Sequence, residues 1–152
     1  LKIIAWTTLL FGILLYFSDR SQIKNKLDIK LSYKNILIIG LFQVLAIIPG
    51  VSRSGIVITV SRFLNFDRID SSKIAFYLSI PALGGASFLG LKDIFKTGII
   101  LNSIFIYSII LSFIISYLTI KYFLVYVKNF NLNLFIYYRI LLALILFVIV
   151  YN

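Results

Sequence analysis

Uncharged apolar runs separated by short charged clusters make up this chain. Residues 3–17 carry no charge, and segment 1–17 reads as a transmembrane helix slightly short of the ~20 residues that span a bilayer. A polar loop follows at 18–34, with Arg20, Lys24, Lys26, Lys30 and Lys34 against Asp19 and Asp28. Residues 36–48 are apolar but too short to cross, and they stop at Pro49-Gly50. A second short apolar stretch, 56–64, begins just beyond Ser52-Arg53-Ser54-Gly55. Two half-length helices flanking a Pro/Gly break predict a re-entrant hairpin over 36–64, its tip at membrane depth. One kinked full span is the alternative. Residues 74–91 and 97–120 are uncharged and long enough to span, and 134–151 forms a last span. Arg139 lies near the start of that span beside Tyr137 and Tyr138, a pairing typical of an interfacial aromatic belt.

Composition narrows the class. The chain has 152 residues, 61% hydrophobic and only 13% charged, against about 45–50% and roughly 25% for a soluble domain. A water-soluble globular domain, a disordered tail and a nucleic-acid-binding module are excluded; the expected class is an all-α polytopic membrane protein. The formal charge of +10 then points to loops on an anionic cytoplasmic leaflet. With the hairpin re-entrant, residues 18–34, 65–73 and 121–133 share one side and hold nine Lys/Arg, whereas Lys2, Lys92 and Lys96 make three on the other. The positive-inside rule places the nine in the cytoplasm, so the hairpin enters from that side. A kinked full span would reverse every later loop and spoil the count.

Cys and His are absent, which removes disulfides, thiol nucleophiles, imidazole bases and His-held metals from this chain. Met is absent too, and Leu1 opens directly into an apolar run. The expectation is a piece of a longer protein whose first span is cut near its start.

The chemistry concentrates at the hairpin tip. Arg53 lies between two apolar half-helices, where a charge costs on the order of 2.5–3.5 kcal/mol on the insertion scale. It needs an anionic partner or water there. Ser52 and Ser54 flank it, while Gly50 and Gly55 leave the backbone open to close approach. Pro49 ends one half-helix and Ser52 is placed to N-cap the next. The N–H groups of that second helix then face the tip beside a guanidinium suited to bidentate phosphate binding. The physical reading is an oxyanion site within the membrane, most plausibly for phosphate. The blander one has Arg53 snorkelling and the Ser and Gly residues only packing.

At these residues the chain resembles a known family. Pro49-Gly50-Val51-Ser52-Arg53-Ser54-Gly55 is similar to the PGxSRSG signature of undecaprenyl-diphosphate phosphatases, the bacitracin-resistance family. Gly40 with Gln43, Ala75-Phe76-Tyr77-Leu78-Ser79-Ile80-Pro81, Gly84-Gly85-Ala86 and Tyr137-Tyr138-Arg139 fall in similar order and spacing.

The resemblance implies hydrolysis of undecaprenyl diphosphate to undecaprenyl phosphate and phosphate, recycling the lipid carrier of peptidoglycan synthesis. It implies an inverted-repeat fold of which this chain is the second half. By the same resemblance Arg53, Ser52 and Ser54 are catalytic-site phosphate ligands, with Gly50, Gly55, Gln43 and Thr59 as substrate-binding candidates. The family's acidic motif and Ser/His tip have no counterpart, since the chain contains neither Glu nor His. The fragment alone is therefore expected to be inactive. A divalent cation (Mg or Ca) is implied only through the family, with no metal ligands evident here. Expected partners are an isoprenoid diphosphate lipid, membrane lipids and the missing N-terminal half, with a homodimer as a further candidate and no nucleic acid. The expected location is the bacterial inner (plasma) membrane, the active site facing the periplasm and outer leaflet. An inverted-repeat transporter of an anion or lipid phosphate is the alternative, because it shares the same kind of anion site.

Other polar residues have plainer expectations. Gln43 either hydrogen-bonds a phosphate or links helices. Thr59, seven residues after Ser52, shares its helix face, and either lines the site or bonds back to its own helix. Arg62 and Arg68 are expected at the membrane interface; Arg139 either snorkels there beside Tyr138, the favoured reading, or reaches inward to a polar cluster. Asp67 and Asp70 are expected to cap or flank the next segment. Pro81, Gly84, Gly85 and Ala86 suggest a face for close helix packing.

Overall fold

The computed structural model describes residues 1–23, 25, 32–97 and 103–151, without the side chains of 93 and 95–97. Among them are six α-helices: α1 Lys2–Asp19, α2 Tyr33–Gln43, α3 Arg53–Phe63, α4 Arg68–Thr97, α5 Ser103–Asn129 and α6 Asn133–Tyr151. A 3-10 turn, Val44–Ile47, prolongs α2 towards Pro49. Helices α1, α4, α5 and α6 are each long and apolar enough to cross a membrane. The chain is an all-α polytopic membrane protein. Lys24, Lys26 and Lys30 of the first polar loop, and residues 98–102 at the start of the expected span 97–120, lie outside the described residues.

Local chemistry sets the helix ends. Ser32 accepts a hydrogen bond from the Asn35 N–H and starts α2. The Asp67 carboxylate accepts from the Asp70 N–H at 2.7 Å and starts α4, each satisfying a donor that the first turn leaves free. Helix α3 stops at Asn65, whose φ of +66° is the left-handed conformation that asparagine tolerates better than most residues. Phe66 N–H then reaches the Ser61 carbonyl and Asn65 N–H the Arg62 carbonyl, the paired bonds of a Schellman ending.

Helix α5 departs from the expected pattern. It runs to Asn129 instead of ending near Ile120, so Lys121 and Lys128, assigned to a connecting loop, are helical. Long lysine stems let a helix continue through such positions while the ammonium groups seek water. Of α5, only Val127 is buried by the described chain.

Packing centres on α3. Val57, Ile56, Ile58 and Val60 are buried with Phe11 and Leu15 of α1, Ile39 of α2, Ile74 of α4 and Ile136 of α6. α2 folds back on α3, and α1 packs against both α3 and α6. α1 and α6 run antiparallel: Lys2 lies over the Tyr151 ring, Trp6 meets Phe147 edge-on, and Asp19 sits beside Leu132. Gly84, Gly85 and Gly90 have nothing within 4 Å of where a Cβ would lie. The close packing expected of that small-residue face is therefore not made by the described residues of this chain.

A polar cluster ties one end together. Arg62, only 2% exposed, donates to the carbonyls of Phe66 (2.6 Å), Asp19 (2.9 Å) and Ser21 (2.9 Å). Arg68 makes a two-pronged pair with the Asp19 carboxylate at 2.6 and 3.0 Å. Arg62 is thus sealed inside protein, not at the membrane interface: the carbonyls of Phe66, Asp19 and Ser21 take its two terminal nitrogens, and its Nε lies 3.8 Å from the Asp19 carboxylate without a hydrogen bond. Arg68 is spent on Asp19.

Candidate functional site

The tip of the hairpin is built where α3 begins. Ser52 caps it, its Oγ accepting from the Gly55 N–H at 3.1 Å. That arrangement leaves the Ser52 hydroxyl proton free to donate, and the Ser54 Oγ lies 3.3 Å away. The N–H groups of Arg53 and Ser54, in the first turn, have no helical acceptor. The cap, read from the sequence as a possibility, orients both hydroxyls and both N–H groups to one end of the helix. Its macrodipole adds partial positive charge there.

Helix α3 is short. Helix α3 has 11 residues, hence a length of about 16 Å, roughly half of a ~30 Å hydrocarbon core. Its far end carries Arg62 in the Asp19 cluster. The tip meets α1 at Thr7, which donates to the Pro49 carbonyl at 2.7 Å. Gly50 has φ +92°, and a Cβ there would collide with the Thr7 hydroxyl and come within 2.9 Å of the Ile4 carbonyl. Gly50 is thus required by the turn and by its contact with α1.

Two guanidinium groups flank the capped end. Arg53 is exposed and borders a cavity of about 440 Å³ with Gln43, Gly40 and Pro81. Arg139 approaches from α6 on another side. With Ser52, Ser54 and Gly55 it lines a cavity of about 150 Å³ closed by Phe123 and Phe135. A Cβ on Gly55 would lie 2.8 Å from Arg139 Nη2, so glycine at 55 makes room for the guanidinium. Neither Arg53 nor Arg139 has a hydrogen bond or ion pair among the described residues. Of the two expectations for Arg139, snorkelling beside Tyr138 is the favoured one and an inward reach the alternative. Tyr137 and Tyr138 are indeed exposed, but the arginine turns inward to the tip.

The structure therefore gathers Ser52, Arg53, Ser54 and Gly55, with Gln43 across the larger cavity. It adds Arg139, in the inward orientation that the sequence offers as its second reading. Thr59 stands apart: it is 2% exposed and its hydroxyl donates to the Gly55 carbonyl at 2.8 Å. The donors around the tip are hydroxyl, amide, guanidinium and backbone N–H groups. Such a set suits an oxyanion. A hard divalent cation takes carboxylate and carbonyl oxygens, and no three His, Cys, Asp or Glu residues gather among the described residues. These residues by themselves do not fit a divalent cation, and no chemical step is assigned to one here.

Comparison with known proteins agrees with the architecture. The family model for bacitracin resistance protein BacA matches residues 1–145. The chain is 55% identical to an undecaprenyl-diphosphatase of Pelagibacter ubique, over all of the chain and 59% of that protein. It is 42% identical to one of Elusimicrobium minutum, over 96% of the chain and 55% of that protein. A third, from Saccharophagus degradans, is 37% identical over 99% of the chain and 57% of its own length. The chain spans somewhat over half the length of the curated relatives it matches. A capped half-length helix carrying Arg53, a transmembrane scaffold around it and a family match over nearly every residue lead to one conclusion: this chain belongs to the bacitracin resistance protein BacA family.

Proposed function

We propose that this chain forms the phosphate-binding half of an enzyme that hydrolyses undecaprenyl diphosphate to undecaprenyl phosphate and inorganic phosphate. The carrying observation is the pair of guanidinium groups, Arg53 and Arg139, unpartnered among the described residues on two sides of the capped N-terminus of α3. A diphosphate brings charge enough for both, and guanidinium forks match phosphate oxygens in pairs. Water attacks the terminal phosphorus, the bridging P–O bond breaks, and the lipid monophosphate leaves. Arg53, the Ser52 and Ser54 hydroxyls and the first-turn N–H groups hold the terminal phosphoryl group and neutralise charge that grows on its oxygens. Gln43 contacts the same group across the larger cavity. The groups that activate water belong, on this reading, to the part of the relatives that this chain does not span.

The same reading sets the topology. Arg20, Arg68 and Lys128 lie at the end of the bundle where Asp19 and Leu132 meet. By the positive-inside rule that end faces the cytoplasm of a bacterial inner membrane. The tip then opens towards the periplasmic side and the outer leaflet.

The test is phosphate release from undecaprenyl diphosphate in detergent, comparing the full-length protein with the isolated 152-residue chain. Release by the first and none by the second is expected. Turnover by the isolated chain would overturn the shared site.

A second expectation concerns Arg139. Arg139→Ala is expected to lower kcat/KM roughly ten- to a hundredfold, the worth of a hydrogen bond to a charged group. Gly55→Ala, whose methyl group would displace the guanidinium, should move the same parameter in the same direction by less. Double-variant kinetics check this, because Gly55→Ala should add little once Arg139 is gone.

A further inference from the structure

Both guanidinium-bearing elements of the site rest on α1. A Cβ on Gly12 would lie 3.4 Å from the Arg139 Cβ, so glycine lets α6 come close to α1 where Arg139 leaves the helix. The hairpin meets α1 at Thr7, five residues earlier and hence about 7.5 Å along the helix axis. The Thr7 hydroxyl has one proton and three carbonyl oxygens around it: Pro49 at 2.7 Å, Ile3 at 2.8 Å and Ile4 at 3.2 Å. Those of Ile3 and Ile4 belong to α1, whose own N–H groups reach them. The Pro49 carbonyl stands in the break between two half-helices, and among the described residues no backbone N–H donates to it. It is therefore the acceptor that needs the proton. From that carbonyl only Gly50 and Val51 lead to Ser52. Gly50 lies close to α1 and Val51 is buried, so a shift at Pro49 passes on to the cap.

We infer that Thr7 is a positioning residue for the reaction: through the Pro49 carbonyl it sets where Ser52 and Arg53 stand relative to Arg139. Helix α1 thereby fixes the spacing of the two guanidinium groups without touching the phosphates itself. The inference rests on the proposed phosphatase reading for what those groups hold. That the hydroxyl fixes the tip does not depend on it.

Thr7→Val, which keeps the shape and removes the proton, is compared with Thr7→Ser in the full-length protein. Thr7→Val is expected to lower kcat for undecaprenyl diphosphate roughly ten- to a hundredfold, the cost of misplacing reacting groups by about 1 Å, with little change in KM. Thr7→Ser should restore most of the loss. In the Arg139→Ala background Thr7→Val should cost little more, because the spacing no longer serves a second arginine. A loss that adds in full to that of Arg139→Ala, or that Thr7→Ser leaves unrepaired, would overturn the inference. A readout independent of turnover is amide hydrogen exchange at Val51 and Gly55, whose N–H groups bond the Ile48 carbonyl and the Ser52 hydroxyl. Exchange there should quicken in Thr7→Val and return to the parent rate in Thr7→Ser. Unchanged exchange in Thr7→Val would put the proton on Ile3, and faster exchange in every helix would make Thr7 a general structural residue; either result overturns the inference. Parent protein that releases no phosphate while the exchange difference persists would sink the phosphatase reading alone.

Discussion

Arg53→Ala in the full-length protein is expected to lower kcat/KM for phosphate release by roughly 10²–10³-fold, the cost of removing a preorganised oxyanion donor. The side chain is exposed and borders open cavities, so truncation leaves no hole in the buried cluster around Val57 and Ile56. Expression, insertion and thermal unfolding should therefore match the parent, which separates a chemical loss from a folding loss. Arg53→Lys is expected to recover only part of the activity, since an ammonium group keeps the charge but not the planar fork. Near-normal turnover of the alanine variant would remove Arg53 from the proposed role. The same loss accompanied by a lowered unfolding temperature would indicate a structural part instead.

The second large effect is on stability. Arg62→Leu is expected to destabilise the protein by about 3–5 kcal/mol, the usual result of taking one partner from a buried charged pair. Three carbonyls, from Asp19, Ser21 and Phe66, would lose their donor at once. Asp19→Ala should cost a similar amount by leaving two guanidinium groups facing each other. Arg68→Ala should cost less, because that side chain is 31% exposed and water screens the pair. Unfolding in mixed micelles by denaturing detergent checks the order Arg62→Leu and Asp19→Ala above Arg68→Ala. Equal stability of Arg62→Leu and parent would show that the cluster is dispensable.

These two arginines also mark what the sequence could and could not disclose. Arg53 was legible: proline, glycine and serine around it describe a helix break and a cap, both local effects of a few consecutive residues. The helical class and the Ser52-capped helix start follow from such patterns. Arg62 was not legible, because its acceptors are backbone carbonyls, and any residue type supplies a carbonyl. Near a helix end it reads like a surface charge. Arg139 was hidden differently. Its neighbours Tyr137 and Tyr138 are truly exposed, so the local pattern of a membrane interface is correct for them and misleading for it. Only the approach of Arg139 from α6 to the tip, with glycine at 55 making space, discloses its inward direction. The length of α5 is hidden in the sequence because charge reads as a loop signal, whereas Lys121 and Lys128 ride on a continuing helix.

The contact of Gly50 with α1 has a mechanical meaning. Its backbone lies close to the Ile4 carbonyl, and the short Thr7 side chain is bonded to Pro49, so little slack lies between the two elements. At the other end of the hairpin the Asp19 cluster joins the same pair of elements again. Fixed at both ends, hairpin and α1 behave as one lever arm: the tip moves only if a full transmembrane helix moves with it. A displacement of the tip is therefore a rigid-body movement shared with α1 rather than a bend within the hairpin.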